Sequence, residues 1–356
     1  MITGIRLQRF RSYDDVSFDL EPGVNIIVGP NASGKTNLLE AILVVSLGSS
    51  YRGADAELPN HGSEWARIDV HTETGRRTLK LEVATDSRVQ KSFQISDKPY
   101  KRLAHDKTLP LVLFEPDHLR LMTGRPELRR DYMDDLLEQL VGGYATLRRQ
   151  YKRTLAQRNA LLKRGPNTTE QLFAWNVRLS ELGGKMAEAR KNLIEKLNTE
   201  LSGLYYELSG DDAGIKVEYV TTCNQKQYGS DLLHKLESST ELDYQRGFTA
   251  YGPHRDDFVI TINGHDCNDV ASRGEMRTLL LGLKIMELRL LEEARGKKPI
   301  ILLDDVFSEL DGARRRALTN FLSGYQTFIT TTDADVVVQH FMDACNIIPL
   351  TQGDQA

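Results

Sequence analysis

The stretch that decides the fold runs over residues 24–36 and reads VNIIVGPNASGKT. Its first five residues are β-branched and apolar apart from one asparagine, which is typical of a buried strand. The next eight match GxxxxGK[ST], a pattern whose glycines let successive backbone N–H groups turn toward one phosphate. The apolar residues that follow recur at helical spacing, at Leu38, Ile42 and Val45. Strand, turn and helix in this order predict a phosphate-binding loop (P-loop); a chance glycine-rich turn is the alternative.

The P-loop pattern assigns roles to its residues. We expect the loop backbone to surround the β-phosphate of ATP, with the positive end of the following helix aimed at the same point. Lys35 is expected to reach the β- and γ-phosphates, and the Thr36 hydroxyl is expected to bind Mg²⁺. The predicted nucleotide-binding residues of the loop are Gly29, Pro30, Asn31, Ala32, Ser33, Gly34, Lys35 and Thr36.

A second apolar run, at residues 300–303, ends in two carboxylates. It predicts a buried parallel strand, and ligands of open α/β sheets bind at the carboxyl ends of such strands. Asp304 is therefore the expected Mg²⁺ ligand, directly or through water. Asp305 would point to the other side of the strand, in a position to polarise the attacking water. A capped strand end followed by a turn is the alternative.

A third element, SRGE at residues 272–275, opens an apolar-periodic helix. Alone it predicts only a capped helix start with an acidic first turn. Its position before the acidic strand resembles the signature motif of ABC-type ATPases, which binds the γ-phosphate held by the P-loop of a second subunit. The resemblance implies that Ser272, Gly274 and Glu275 act in trans on a partner protomer. SELD at 308–311 resembles the D-loop of the same family.

Composition bounds the class of protein. A length of 356 residues with 40% hydrophobic residues predicts about two domains with full cores. The formal charge of −4 excludes a uniformly basic nucleic-acid coat but allows a local basic patch. No apolar run approaches the ~20 residues of a membrane span, and no secretory signal is visible. Three scattered cysteines indicate a reducing cytoplasm rather than a disulfide framework or zinc site.

The element pattern divides the chain into a head and an insert. Residues 1–118 and 245–356 mix strands with helices, so we expect an α/β head assembled from two chain segments. Residues 119–244 are mainly helical and are interrupted by glycine and proline, at 142–143 and 165–166. They predict an inserted helical arm domain, too short and too broken for a long coiled coil.

The insert has a basic stretch, with seven basic and no acidic residues between positions 144 and 165. On a helix, residues four apart share a face, so the cations would crowd each other. DNA phosphates would relieve this repulsion and make binding steeply salt-dependent; a solvated helix face is the alternative. The predicted DNA contacts are Arg148, Arg149, Lys152, Arg153 and Arg158.

Several stretches together resemble the RecF family of bacterial recombination mediators, which have an SMC-like, ABC-type ATPase head. The resemblance extends from residue 1 to about 333. Besides the motifs above, it rests on LQRFRSY at 7–13, GSSYR at 48–52, a spaced pattern over 116–134 and YGPHRDD at 251–257. It implies nucleotide contacts for Arg11 and Arg52, the latter like the arginine of SMC heads.

The function implied by this resemblance is an ATP-dependent DNA-binding switch. Two heads would close as a homodimer on DNA when ATP binds, and slow, DNA-stimulated hydrolysis would release them. The implied target is duplex, gap or junction DNA. The implied partners are RecR and RecO, which assist the loading of RecA on strands coated with single-strand binding protein.

Three departures from the ABC pattern are visible. Residues 109–115 contain no glutamine for a Gln-loop, which leaves open whether Glu115 or a backbone group contacts the metal. Asp305 replaces the usual glutamate and is one methylene shorter, which fits a slow ATPase. TTTD at 330–333 stands in place of the switch histidine, with Thr331 as a candidate γ-phosphate sensor.

The same residues allow other interpretations. The chain could be an SMC-like or transporter-type motor, or a nucleotide-gated DNA scaffold with negligible hydrolysis. The YGPHRDD stretch predicts either an internal knot of ion pairs or a loop that transmits the state of the nucleotide.

Overall fold

The computed structural model describes residues 1–84, 89–165, 169–333, 337–341 and 345–351. The strands are β1 (Ile2–Phe10), β2 (Tyr13–Asp19), β3 (Val24–Val28), β4 (Trp65–Thr72), β5 (Gly75–Val83), β6 (Val89–Ile95), β7 (Lys98–Tyr100), β8 (Leu111–Phe114), β9 (Ile215–Val220), β10 (Asp257–Ile262), β11 (His265–Asp266), β12 (Ile300–Asp304), β13 (Thr327–Thr331) and β14 (Cys345–Pro349). The helices are α1 (Lys35–Leu47), α2 (Arg120–Thr123), α3 (Pro126–Leu140), α4 (Tyr144–Leu162), α5 (Thr169–Ser209), α6 (Tyr228–Ser238), α7 (Thr240–Arg246), α8 (Cys267–Val270), α9 (Arg273–Arg295), α10 (Val306–Glu309) and α11 (Gly312–Leu322). Among these helices, none combines the length and apolar character needed to cross a membrane.

Contacts divide the chain into two compact units. The P-loop unit comprises Met1–His118 and Glu287–Ala356, and the insert unit comprises Leu119–Met286. The predicted insert ended at residue 244, whereas the contacts keep residues 245–286 with it. The reason is strand pairing, because β10 lies antiparallel to β9 along its whole length.

Two sheets enclose one helix in the P-loop unit. The parallel sheet has the order β14-β3-β13-β12-β8, and the antiparallel sheet has the order β2-β1-β4-β5-β6-β7. Helix α1 packs against strands of both sheets and is buried on nearly every side. This explains why its sequence is apolar all round rather than along one stripe. The packing fixes the N-terminus of α1 at the carboxyl end of β3.

The insert unit protects the outer edge of its small sheet with side chains from α5. The Asn198 side chain accepts a hydrogen bond from Val217 N at 2.7 Å and donates one to Val217 O at 2.9 Å. Ser202 makes the same pair of contacts with Ile215, at 3.0 and 2.8 Å. Because the two side chains are four residues apart, they share one helix face. The helix thus takes the place of a further strand on β9.

The YGPHRDD stretch forms an internal knot within the insert unit. Asp257 accepts hydrogen bonds from Arg129 at 2.8 and 2.6 Å. Asp256 is buried and accepts from the hydroxyls of Tyr219 and Tyr228, at 2.7 and 2.5 Å. These contacts favour the ion-pair interpretation of the stretch; a role in sensing the nucleotide stays a prediction.

Two residues of the predicted DNA surface prove to be buried. Arg158 has 0% exposure, and its guanidinium donates to Asp243 and Thr249 at 2.8 Å and to Asn176 at 2.7 Å. Arg148 is 8% exposed. It contacts a row of carboxylates on α3, namely Asp131, Asp134, Asp135 and Glu138. The prediction of DNA contacts for these two arginines was wrong, because their compensating acids come from other helices.

The buried Arg158–Asp243 pair gives a prediction for stability. Asp243→Ala leaves the guanidinium buried without its carboxylate, and we expect the free energy of unfolding to fall by about 3–5 kcal/mol. Lys152→Ala removes an exposed charge from the same helix, with an expected change below about 0.5 kcal/mol. Urea denaturation of the full chain measures both. Equal, small losses in the two variants would contradict a structural role for the pair.

Candidate nucleotide site

The P-loop at residues 29–36 runs from the end of β3 into the first turn of α1 and requires both of its glycines. Gly34 has φ +92°, and a β-carbon there would lie 2.8 Å from the Tyr13 hydroxyl oxygen. That hydroxyl donates to the Gly34 carbonyl at 3.0 Å. A β-carbon at Gly29 would lie 2.7 Å from the carbonyl oxygen of Leu350. Close approach of the backbone to its neighbours therefore sets the shape of the loop.

Lys35 is folded over this loop. Its Nζ donates to the carbonyl oxygens of Gly29 at 2.7 Å and Pro30 at 2.9 Å, and the residue is 8% exposed. Burial lowers the pKa of Lys35, while the nearby carboxylates of Asp304 and Asp305 oppose that shift. Phosphate oxygens are stronger acceptors than these carbonyls. A bound triphosphate would therefore compete with these two carbonyl oxygens for the Lys35 ammonium.

The remainder of the loop agrees with a phosphate cradle. Ser33 and Gly34 are buried, whereas Pro30, Asn31 and Ala32 are exposed at the outer side of the turn. Ala32 adopts φ +66°, and with Gly34 it curls the backbone tightly. Such curls direct successive N–H groups to one side.

Asp304 ends β12 and meets two hydroxyls. Its Oδ1 accepts from Thr36 Oγ1 at 3.1 Å and from Thr330 Oγ1 at 2.7 Å. Burial raises the pKa of Asp304, so a cation would stabilise its charged form. Hydroxyl and carboxylate oxygens are the ligands that Mg²⁺ prefers. No cluster of three His, Cys, Asp or Glu side chains suited to a metal occurs in the described part of the chain, so nucleotide phosphates would supply the remaining ligands.

Thr330 is a site residue that the sequence pattern did not identify. Its hydroxyl also accepts a hydrogen bond from the backbone N–H of Asp305, at 2.9 Å. Asp305 itself adopts φ +55°, which turns the chain sharply after β12. The hydroxyl of Thr331, the candidate sensor, instead accepts from Asp333 N at 3.1 Å and stabilises a turn. The missed signal is that Thr330 lies opposite Asp304 on a neighbouring strand.

Arg11 and Arg52 converge on one buried carboxylate, Glu40 in α1. Arg11 donates to both Glu40 oxygens, at 2.9 and 2.8 Å, and its side chain is 18% exposed. Arg52 Nη1 lies 3.6 Å from Glu40 and donates to Asn37 at 3.0 Å, and its side chain is 41% exposed. Glu40 therefore orients both arginines beside the P-loop helix. A single glutamate inside an apolar helix was the signal that would have revealed it.

The end of β8 lies in the segment where the pattern of ABC-type ATPases would place the glutamine of the Gln-loop. In the parallel pairing of β8 with β12, Phe114 lies opposite Leu303. Glu115 and Asp304 therefore follow at the same edge of the sheet. This register brings a second carboxylate to the end of the strand next to Asp304.

The SRGE element starts α9 in the insert unit as a capping box. Ser272 N donates to the Glu275 carboxylate at 2.8 Å, and Glu275 N donates to Ser272 Oγ at 3.3 Å. The Gly274 carbonyl accepts from Thr278 Oγ1 at 3.1 Å. Ser272 is exposed. In the D-loop candidate, the side chains of Ser308 and Glu309 lie outside the described residues.

The exposed cations of α4 are fewer than expected. Arg149, Lys152 and Arg153 are exposed, in contrast to the two buried arginines of the same helix. Arg149 donates a hydrogen bond to the Thr146 hydroxyl, at 3.1 Å. These three side chains are the part of the predicted DNA surface that can meet a phosphate.

Comparisons with known proteins show the family of the chain. The sequence matches the family described as RecF/RecN/SMC N terminal domain over residues 1–354. It is 33% identical to the DNA replication and repair protein RecF of Alkaliphilus oremlandii, covering 93% of each chain. It is 30% identical to the protein of that name from Clostridium novyi, covering 99% of this chain and 98% of the relative.

Solved structures give the same result. A structure of the recombination mediator protein RecF with ATP, in the RecFOR pathway, is 31% identical and superimposes with a TM-score of 0.86, covering 99% of this chain and 96% of that one. An Smc head domain from Pyrococcus furiosus, at 16% identity and a TM-score of 0.53, shares the fold. With these matches over nearly its whole length, the chain belongs to the RecF family, within the larger group of RecF/RecN/SMC N-terminal domains.

Proposed function

We propose that this chain is an ATP-dependent DNA-binding switch of DNA replication and recombinational repair. The observation that carries the proposal is the 3.1 Å contact between Thr36 and Asp304, with Lys35 folded over the loop beside them. A relative named DNA replication and repair protein RecF and a solved RecF with ATP support it.

The proposed reaction is slow, DNA-stimulated hydrolysis of ATP to ADP and phosphate. The loop N–H groups and Lys35 bind the phosphates, while Thr36 and Asp304 hold Mg²⁺. When bound, the ion neutralises charge on the phosphates. Asp305 follows at the end of the same strand and orients the attacking water. Its short side chain, on a residue at φ +55°, gives the water a less favourable position than a glutamate would.

We further propose that ATP closes a homodimer. Ser272, Gly274 and Glu275 of one protomer then meet the γ-phosphate held by the other. The capping box uses Ser272 Oγ as an acceptor, so the hydroxyl hydrogen stays available as a donor to phosphate. The N-terminus of α9 adds favourable partial charge.

The proposed DNA contacts are Arg149, Lys152 and Arg153. We expect binding through these residues to be independent of DNA sequence. Contacts with phosphates position a protein on DNA, whereas contacts with base edges read the sequence. Gap or junction DNA as the target, RecR and RecO as partners, and the cytoplasm as the location complete the proposal. The three free cysteines agree with a reducing compartment.

Removing the P-loop ammonium tests the nucleotide site. We expect Lys35→Met to abolish ATP binding and ATP-induced dimerisation together, because closure depends on the bound triphosphate. Equilibrium binding of a fluorescent ATP analogue and sedimentation velocity measure the two effects. Lys98→Met, an exposed lysine of the same unit, is the control. A Lys35→Met protein that dimerised with ATP at wild-type affinity would count against the proposal.

Blocking the signature serine tests closure separately. Ser272→Arg places a bulky cation at the start of α9, so each chain should keep its ATP affinity while the ATP-induced larger species disappears. Sedimentation with and without ATP, in the presence of duplex DNA, measures this. Ser238→Arg, at an exposed serine of the same unit, should behave as wild type. Persistence of the larger species in Ser272→Arg would rule out contact in trans.

The DNA surface has its own test. Replacing Arg149, Lys152 and Arg153 with alanine should weaken DNA binding and reduce the slope of log K against log salt by roughly 2–3, one unit for each lost phosphate contact. Fluorescence anisotropy at several salt concentrations measures the slope. Lys216→Ala, at an exposed lysine on β9, is the matched control. An unchanged slope would place the DNA elsewhere.

A further inference from the structure

A buried hydroxyl without a hydrogen bond lies close to the nucleotide site. The Tyr51 oxygen is inaccessible to solvent and has no hydrogen-bond partner among the described residues. Leaving such a group unpaired costs about 1–3 kcal/mol. Native proteins rarely retain an unpaired buried hydroxyl unless an ion, a water or a ligand uses it. The proposed roles of the P-loop residues do not involve this hydroxyl.

The loop that carries Tyr51 is fixed to the P-loop helix on both sides. Ser50 Oγ donates to Glu40 at 2.5 Å and accepts from Arg52 N at 2.9 Å. Arg52 in turn donates to Asn37 of α1 at 3.0 Å. The Tyr51 ring packs against the hydrophobic core. With both neighbours tied and the ring packed, the hydroxyl cannot turn to solvent to find a partner.

The charges that act on the hydroxyl include two carboxylates of the site, together with Glu40 and the opposing cation of Arg52. Burial raises the pKa of Tyr51 far above its ordinary value, and the negative charges of Asp304 and Glu115 raise it further. The phenol is therefore protonated and has a hydrogen to donate. The register of β8 and β12 brings the same two acids to one sheet edge. The protonated hydroxyl therefore lies beside two carboxylates, one of which also contacts Thr36. This arrangement can bind a polar ligand.

We propose that Tyr51 is a positioning residue for Mg²⁺–ATP. Its hydroxyl donates a hydrogen bond to an oxygen that enters with the ion and the nucleotide, and so replaces the glutamine absent from residues 109–115. The inference rests on the proposed ATP site and adds to it a residue that the P-loop pattern does not contain. Its partner is an oxygen of the hydrated divalent cation.

The test is Tyr51→Phe in the full chain, with two readouts that do not depend on turnover. Binding of ATPγS is measured against Mg²⁺ concentration and again in EDTA, and the melting temperature is measured without nucleotide. We expect Mg²⁺-dependent affinity to fall about five- to tenfold, which corresponds to the loss of one hydrogen bond. Affinity in EDTA should not change. The melting temperature should stay equal or rise, since an unpaired buried hydroxyl is removed.

The matched control is Tyr132→Phe. This tyrosine belongs to the insert unit, and its ring, which phenylalanine retains, lies 5.0 Å from the Lys284 ammonium. The control should match wild type in ATPγS binding. If the ATPγS affinity of the wild-type protein did not depend on Mg²⁺, the proposed metal site itself would be wrong.

Two further outcomes would overturn the inference about Tyr51 alone. One is a normal Mg²⁺ response in wild type with an identical response in Tyr51→Phe. The other is an equal loss of affinity with Mg²⁺ and in EDTA, together with a lower melting temperature, which would show a purely structural hydroxyl.

Discussion

The hydrogen bond between Thr36 and Asp304 joins two parts of the chain that are 268 residues apart. It forms because β13 lies between β3 and β12 in the parallel sheet, so the P-loop and the acidic strand end at one edge. Thr330 on that middle strand completes the contact at 2.7 Å. The proposed nucleotide site therefore depends on the order of strands in the sheet, and neither motif can form it alone. The phosphate-binding and metal-binding side chains come together only when both chain segments have folded into the same sheet.

Three buried carboxylates among the described residues are paired with arginines that lie far away in sequence. Glu40 accepts hydrogen bonds from Arg11, Asp243 accepts from Arg158, and Asp134 accepts from Arg190, at 2.8, 2.8 and 2.9 Å. A buried pair adds little net stability compared with an apolar pair, but breaking it is costly. Such pairs therefore enforce one arrangement of helices and strands. In the P-loop unit, the Glu40 pair also fixes a loop next to the nucleotide site.

The sequence predicted what is local and missed what is not. The P-loop, the acidic strand and the capped start of α9 each depend on neighbours within a few residues, and spacing alone reveals them. Arg158 looked like a DNA contact because its acid lies 85 residues further on. Thr330 and Glu40 were missed because only the strand register and the packing of α1 give them a role. The end of the insert unit depends on the pairing of β9 with β10, which no periodicity encodes.

The pairing of Arg158 also has a consequence for how the protein is made. Its acceptors Asn176, Asp243 and Thr249 lie 18, 85 and 91 residues further along the chain. While a ribosome is still adding residues before Asp243, the guanidinium lacks its carboxylate, and burial at that stage would strand a charge. Helices α4 and α5 can form early. We expect their final packing to follow the emergence of the segment that contains Asp243 and Thr249. We therefore expect the order of synthesis to limit when this unit can complete its packing.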